Sequence, residues 1–316
     1  MSDMDDVKKL WSVQKLPDKT LSIKKYKGTE IDIVIPEMID GRIVSTIGQN
    51  AFAIDRPRSA YHKVLSKIKS IIIPNTVTTI EDSAFQDCTA LESIIIPDSV
   101  TSIGDWAFHD CTSLKSITIP NSVEKIGWNV FECCKALRGL KYNSAYYLGN
   151  ADNPYLYLRK AYGPSITSCE IPNSTRFISS NAFKGCSSLI AIHIPDSVID
   201  IGRGAFSECK NLTQVSIGKS VRNIENSAFS YCAALKEVII PDSVTVINGT
   251  MFRNCSSLES VIIGKFVTSI GSKVFADCTS LTNINIPDGV TFIAPDVFLN
   301  CPLVPEEIKR RQWNYQ

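Results

Sequence analysis

A phenylalanine returns every 23 residues. Phe85, Phe108 and Phe131 keep that spacing, and so do Phe183, Phe206, Phe229, Phe252, Phe275 and Phe298. A fixed period of about 20 to 29 residues marks a chain built from one small unit that cannot bury its apolar side alone and must stack on its neighbours. The 316 residues are therefore read one period at a time.

One period runs "LKSITIPNSVEKIGWNVFECCKA", from Leu114 to Ala136. Leu114, Ile117 and Ile119 are apolar, while Ser116 and Thr118 between them are polar, the alternation of a strand with one buried face. Pro120 ends that strand because it cannot donate to a ladder. Val123 and Ile126 begin a second extended piece, Gly127 permits a bend, and Phe131 returns to the centre. Strand on strand at roughly 4.8 Å per rung, about eleven rungs make a curved rod near 50 Å long.

The period also accounts for the cysteines. Of eleven, nine follow a repeat phenylalanine by three residues: Cys88, Cys111, Cys134, Cys186, Cys209, Cys232, Cys255, Cys278 and Cys301. Cys133 and Cys169 lie off this column. A free cysteine packs as a small apolar residue, so the column reads as buried, reduced thiols.

The recurring "IPDSVTSIGDWAFHDCTSL" resembles the BspA-like leucine-rich repeats, over residues 31 to 304. The resemblance implies a β-rich leucine-rich-repeat solenoid with a parallel concave sheet and short extended or turn segments on the convex side. It also implies a bacterial, adhesin-like cell-surface or host-interaction protein whose partner is another protein, a host matrix or surface protein. An intracellular scaffold for protein assembly, with a cellular partner, is the alternative, and carbohydrate binding through aromatic residues a third. The first residues, MSDMDDVKKLWSV, hold no apolar stretch of signal-peptide length. Two locations stay open: cytoplasmic for a full-length chain, or cell surface or secreted if a leader was removed.

The beat breaks at both ends and at two places between them. Residues 1–30, with Leu10, Trp11 and Val13, are expected to cap the first rung. The first full repeat carries a loop insertion at 53–67, and 305–316 forms a short helical cap with Leu303, Val304, Ile308 and Trp313 towards the last rung. Between Phe131 and Phe183 lie 52 residues, two periods and six more. There "SAYYLGNADNPYLYLRKA" reads as two strands around an Asn/Asp/Gly/Pro turn, a hairpin inserted at 144–161. Six of the ten tyrosines fall in or beside it: Tyr142, Tyr146, Tyr147, Tyr155, Tyr157 and Tyr162.

Three groups of residues are candidates for partner contact. Tyr146, Tyr147, Tyr155 and Tyr157 offer rigid aromatic area if the hairpin protrudes, and pack inward if it replaces a coil. Trp106 and Trp128 stand where other repeats have small or polar residues, next to the hairpin in sequence. Ile72 with Ile95, and Ile239 with Ile262, occupy outward strand positions that elsewhere hold Ser70, Ser93, Ser116, Gln214, Ser260 and Asn283.

Charge and motifs exclude other classes. Lys plus Arg is 33 against 32 Asp plus Glu, so nothing points to nucleic acid, and no apolar run is long enough for a membrane span. His62, His109 and His193 are scattered, and none of the metalloprotease, serine-hydrolase or phosphate-loop patterns occurs. The sequence therefore predicts no enzyme, no cofactor and no metal ligands.

Overall fold

The structure is a computed structural model that describes residues 9–53 and 64–310. It is a β-solenoid of about eleven turns, and its strands recur at the period of the sequence. Two compact units result, the first from residues up to Gly139 with 148–154, the second from Leu140–Tyr147 and from Tyr155 onwards.

In the first unit one parallel sheet, here called the face sheet, stacks Asp32–Val34, Ser70–Ile72, Ser93–Ile95 and Ser116–Thr118. Its register is set by sequence alternation. Ile33, Ile71, Ile94 and Ile117 pair in one buried column, while the residues on either side of each point outward. A second sheet runs Arg42–Ile47, Thr79–Ile80, Ser102–Ile103 and Lys125–Ile126 in parallel. The antiparallel pair Trp11–Lys15 and Leu21–Tyr26 begins that sheet.

Between the sheets the phenylalanines form a pile. Phe52, Phe85, Phe108 and Phe131 stack with ring centroids 5.1, 5.1 and 5.7 Å apart. Trp11 and Tyr26 close its open end, 6.2 and 6.3 Å from Phe52. Leu10 and Val13 face solvent instead. Each ring buried this way contributes roughly 1.5–3 kcal/mol before the entropy of ordering it.

The second unit repeats the plan. Its face strands are Ala191–Ile194 with Gln214–Ile217, and Glu237–Ile239 with Ser260–Ile262 and Asn283–Ile284. Its rings Phe183, Phe206, Phe229, Phe252, Phe275 and Phe298 stack 4.9 to 5.8 Å apart and nearly parallel, at interplanar angles of 3° to 12°. At the end of the stack Val304 is buried and Ile308, on the helix Glu306–Arg310, packs against the core. Leu303 is exposed. Trp313 and most of the loop insertion, 54–63 with His62, lie outside the described residues.

The thiol column has a directional reason that packing alone does not supply. Each Sγ donates to a backbone carbonyl of the preceding rung: Cys111 to Phe85 at 3.2 Å, Cys134 to Phe108 at 3.1 Å, Cys232 to Phe206 at 3.2 Å, Cys278 to Phe252 at 3.2 Å. All eleven cysteines are free. Burial pushes the Cys88 and Cys232 thiols up to about 12, so they stay protonated and keep donating.

Gly127 has a different reason from the bend its position implied. A Cβ there would stand 2.5 Å from the backbone nitrogen of Asp105, so the residue is bare because the preceding rung passes too close.

Candidate functional site

The outward columns of the face sheets are where the chain departs from its own repeat. In the first unit Val34, Ile72, Ile95 and Thr118 pair in register, and the three aliphatics are 66, 60 and 72% exposed. Neighbouring rungs stand about 4.8 Å apart, so this is one continuous apolar stripe rather than scattered side chains. The stripe begins one rung earlier than the sequence reading placed it, because Val34 precedes the first complete repeat. Beside it run Asp32, Ser70, Ser93 and Ser116, with the Ser70 hydroxyl donating to Asp32 at 2.5 Å. A charged border follows, in which Lys115 Nζ meets Glu92 at 2.6 Å. That hydrogen bond holds the Glu92 carboxyl below the usual range.

The second unit carries a shorter version. Ile239 and Ile262 pair in register and are 62 and 49% exposed, but the equivalent positions on other rungs are polar. His193 and Ser216 face each other at 3.2 Å there.

The hairpin does not present its tyrosines as a free ribbon. Its turn, residues 148–154, belongs to the first unit, where Ile119 N–H donates to the Gly149 carbonyl at 3.1 Å. The Asn150 side chain donates to the Ile119 carbonyl at 2.8 Å. The same side chain accepts from the N–H groups of Asp152 and Asn153, which closes the turn. Its arms belong to the second unit. Ala145–Leu148 follows Leu140–Tyr142 antiparallel, and Tyr157–Ala161 pairs in parallel with Phe177–Ile178. Leu140, at the start of the Leu140–Tyr142 strand, is exposed.

Two of the four tyrosine candidates are thereby corrected. Tyr147 and Tyr157 are buried, Tyr147 in the core and Tyr157 between buried Leu156 and Leu158 on an arm covered on both sides, and no partner can reach them. Tyr155 is half-buried, tilted on Tyr142 at 4.9 Å and packed against the core. Tyr146 keeps an outward edge. It pairs with exposed Tyr162 at 4.7 Å, and Lys141 Nζ lies 5.7 and 5.8 Å from the two ring centres. Tyr162 was not among the contact candidates, although its place just past the second arm could have pointed to it.

Trp106 and Trp128 are half-buried and lie on each other, ring centroids 4.2 Å apart. Trp106 N–H donates to the Trp128 carbonyl at 3.0 Å, and Trp106 holds φ at 53°. A left-handed backbone is unusual for a bulky residue and strains it.

Stacking also assembles a cluster that the sequence reading did not collect. Asp110 and Cys133 are one period apart, and His109 precedes Asp110. The Asp110 N–H donates to the Glu132 carbonyl at 3.0 Å, which aligns the two rungs side by side. His109 Nδ1 stands 3.1 Å from Oδ2 of Asp110, and one donor atom from each of His109, Asp110 and Cys133 lies within 4.8 Å of the others. Partial burial, then the charges of Asp110 and Glu132, push the Cys133 thiol up. Chemically this is a set of N, O and S donors at the surface. The period itself was the missed signal, since adding 23 to 110 gives 133.

The repeat, the register and the columns now meet a known sequence family, described as BspA type Leucine rich repeat region. It matches in six copies over residues 55–151 and 161–278. The chain belongs to that family. Among solved structures, a leucine rich cell surface protein of Faecalibacterium prausnitzii A2-165 is 27% identical. It aligns over 87% of this chain and 93% of its own, with a TM-score of 0.42. A leucine-rich repeat protein of Bacteroides ovatus is 22% identical over 93% and 91%, at 0.41. The pneumococcal vaccine antigen PcpA is 19% identical over 95% and 92%, at 0.42. No curated protein matches the chain. Among the described residues no helix is long and apolar enough to cross a membrane.

Proposed function

We propose that this BspA-type repeat protein is a non-catalytic protein-binding module of a host-associated bacterium, acting at the cell surface as an adhesin. The observation that carries the reading is the stripe Val34–Ile72–Ile95, three exposed aliphatics held at strand spacing on a rigid sheet. Burying that stripe against a partner removes apolar area from water at no cost in ordering the backbone. The serine column and the Lys115–Glu92 border supply the polar rim such an interface needs.

The test compares wild-type protein with a Val34→Ser, Ile72→Ser, Ile95→Ser variant on a panel of host matrix proteins. Binding by the wild type and its loss in the variant, with the melting temperature unchanged, supports the proposal. Equal binding by both moves the site elsewhere, and binding by neither, with no release of peptides from protease-treated intact cells, overturns the adhesin reading.

A second reading has one observation in its favour. Eleven free thiols, ten of them buried, suit a reducing compartment. An intracellular assembly scaffold would use the same stripe for a cellular partner, and recovery of the chain only after lysis would select it.

A further inference from the structure

The cluster at His109, Asp110 and Cys133 is chemically unlike the rest of the surface. At the column two residues past each repeat phenylalanine, the second unit carries Gly185, Glu208, Tyr231, Asn254, Asp277 and Asn300. Only the first unit places carboxylates and a thiol there on consecutive rungs: Asp87, Asp110 and Cys133. All three hold left-handed backbone, φ 61°, 56° and 59°. Parallel hydrogen bonds, Asp87 N–H to His109 carbonyl at 2.9 Å and Asp110 N–H to Glu132 carbonyl at 3.0 Å, hold those turns in line.

His109 supplies the second, independent feature. Its Nδ1 is shut off from solvent and has no hydrogen-bond partner, although the Asp110 carboxylate is 3.1 Å away. With the imidazole neutral and its proton on Nε2, Nδ1 and the Asp110 carboxylate are two electron-pair donors 3.1 Å apart, a pair that a cation between them would satisfy. Cys133 closes the third side. It is the exposed cysteine among ten buried ones, so a ligand can reach it.

We propose that His109, Asp110 and Cys133 bind a divalent transition-metal ion of the zinc class. Tetrahedral bonds of about 2.0–2.3 Å to N, O and S put donors roughly 3.3–3.7 Å apart. Donor atoms now within 4.8 Å of one another reach that spacing by side-chain rotation, with exposed Cys133 giving access from solvent. Mixed imidazole, carboxylate and thiolate donors favour zinc, cobalt or nickel over magnesium or calcium, which take oxygen. Binding exchanges the Cys133 proton for the metal and releases that proton to solvent, with no change of oxidation state. Asp87, one rung back, is near enough to interact electrostatically with both His109 and Asp110, and supplies an outer carboxylate. The metal would tie consecutive rungs together at the rung just before the hairpin.

The test titrates Co2+ into untagged, reduced, full-length protein. One equivalent is expected to bind, with visible d–d bands and a near-ultraviolet thiolate-to-cobalt transition. Cys133→Ser should abolish the thiolate band, and Asp110→Asn should weaken binding by at least about tenfold, the scale on which loss of even an outer partner acts. Asn254→Ala, in the same column of the second unit, should change nothing. A separate readout does not depend on any variant: one equivalent of Zn2+ should slow alkylation of Cys133 at least about tenfold, since a bound thiolate is withdrawn from attack. No saturable binding, a thiolate band that survives Cys133→Ser, or an unchanged alkylation rate overturns the proposal.

Discussion

The two units share their buried columns and differ in their outward ones. Phe108 and Phe229 have the same surroundings, a ring above and a ring below between 5.1 and 5.7 Å away, and the thiols beside them donate to equivalent carbonyls. Outside, the first unit carries a three-rung apolar stripe and a His–Asp–Cys cluster, where the second carries only the pair Ile239–Ile262 beside polar His193 and Ser216. Stacking constrains what faces inward on every rung but leaves what faces outward free, so individuality collects on the surface.

The comparison breaks most violently in the ring pile. Phe108→Asp and Phe229→Asp each bury an unpaired charge in a closed stack and should cost at least about 5 kcal/mol, enough to unfold the rungs around them. Circular dichroism with thermal melting checks this, and a normal melt for either variant would refute the shared register. Truncation to alanine should cost about 3–5 kcal/mol at both sites, with the two values alike. Unequal values would show that the units do not pack equivalently.

Alkali should act on both units together. The folded Cys88 and Cys232 thiols are pushed from 9.0 up to about 12, so the unfolded chain loses those protons first. Their contribution is complete below pH 9 and falls as pH rises from there to about 12, by about 1.4 kcal/mol per pH unit for each such thiol. Urea midpoints at pH 8 and pH 10 should therefore drop steeply for the wild type. A variant with valine at both positions should drop less.

Trp106→Asn should have a smaller effect that separates the units. It relieves a strained φ of 53° but loses the contact with Trp128, two contributions of about 1 kcal/mol each and of opposite sign. A shift in melting temperature beyond about 4 °C would show that one of them dominates. The smallest effect belongs to the stripe. Ile95→Ser and Ile262→Ser should each stay within about 0.5 kcal/mol of wild type, because both side chains already face water.

What could be read in advance was whatever repeats. A residue whose neighbours lie 23 positions away in both directions has its burial dictated by the period, which is why the phenylalanine and cysteine columns and the alternation around Ile117 were legible. The hairpin was legible as two strands and a turn. The burial of Tyr147 and Tyr157 was not, because no period fixes which residues of an inserted arm are covered, and Leu156, Tyr157 and Leu158 are in fact buried in succession. The His109–Asp110–Cys133 cluster was hidden for another reason. Motif patterns look for ligands close in sequence, whereas stacking makes residues one period apart into neighbours.

The thiol hydrogen bonds have a consequence for how such a chain can change length. Every regular rung brings one sulfur donor and offers one carbonyl acceptor to the rung after it, as Cys209 does with Phe183 and Cys232 with Phe206. A duplicated or deleted 23-residue copy therefore leaves the internal ledger of donors and acceptors balanced. Recombination between copies can vary rung number without designing a new joint, and selection has to re-fit only the two ends.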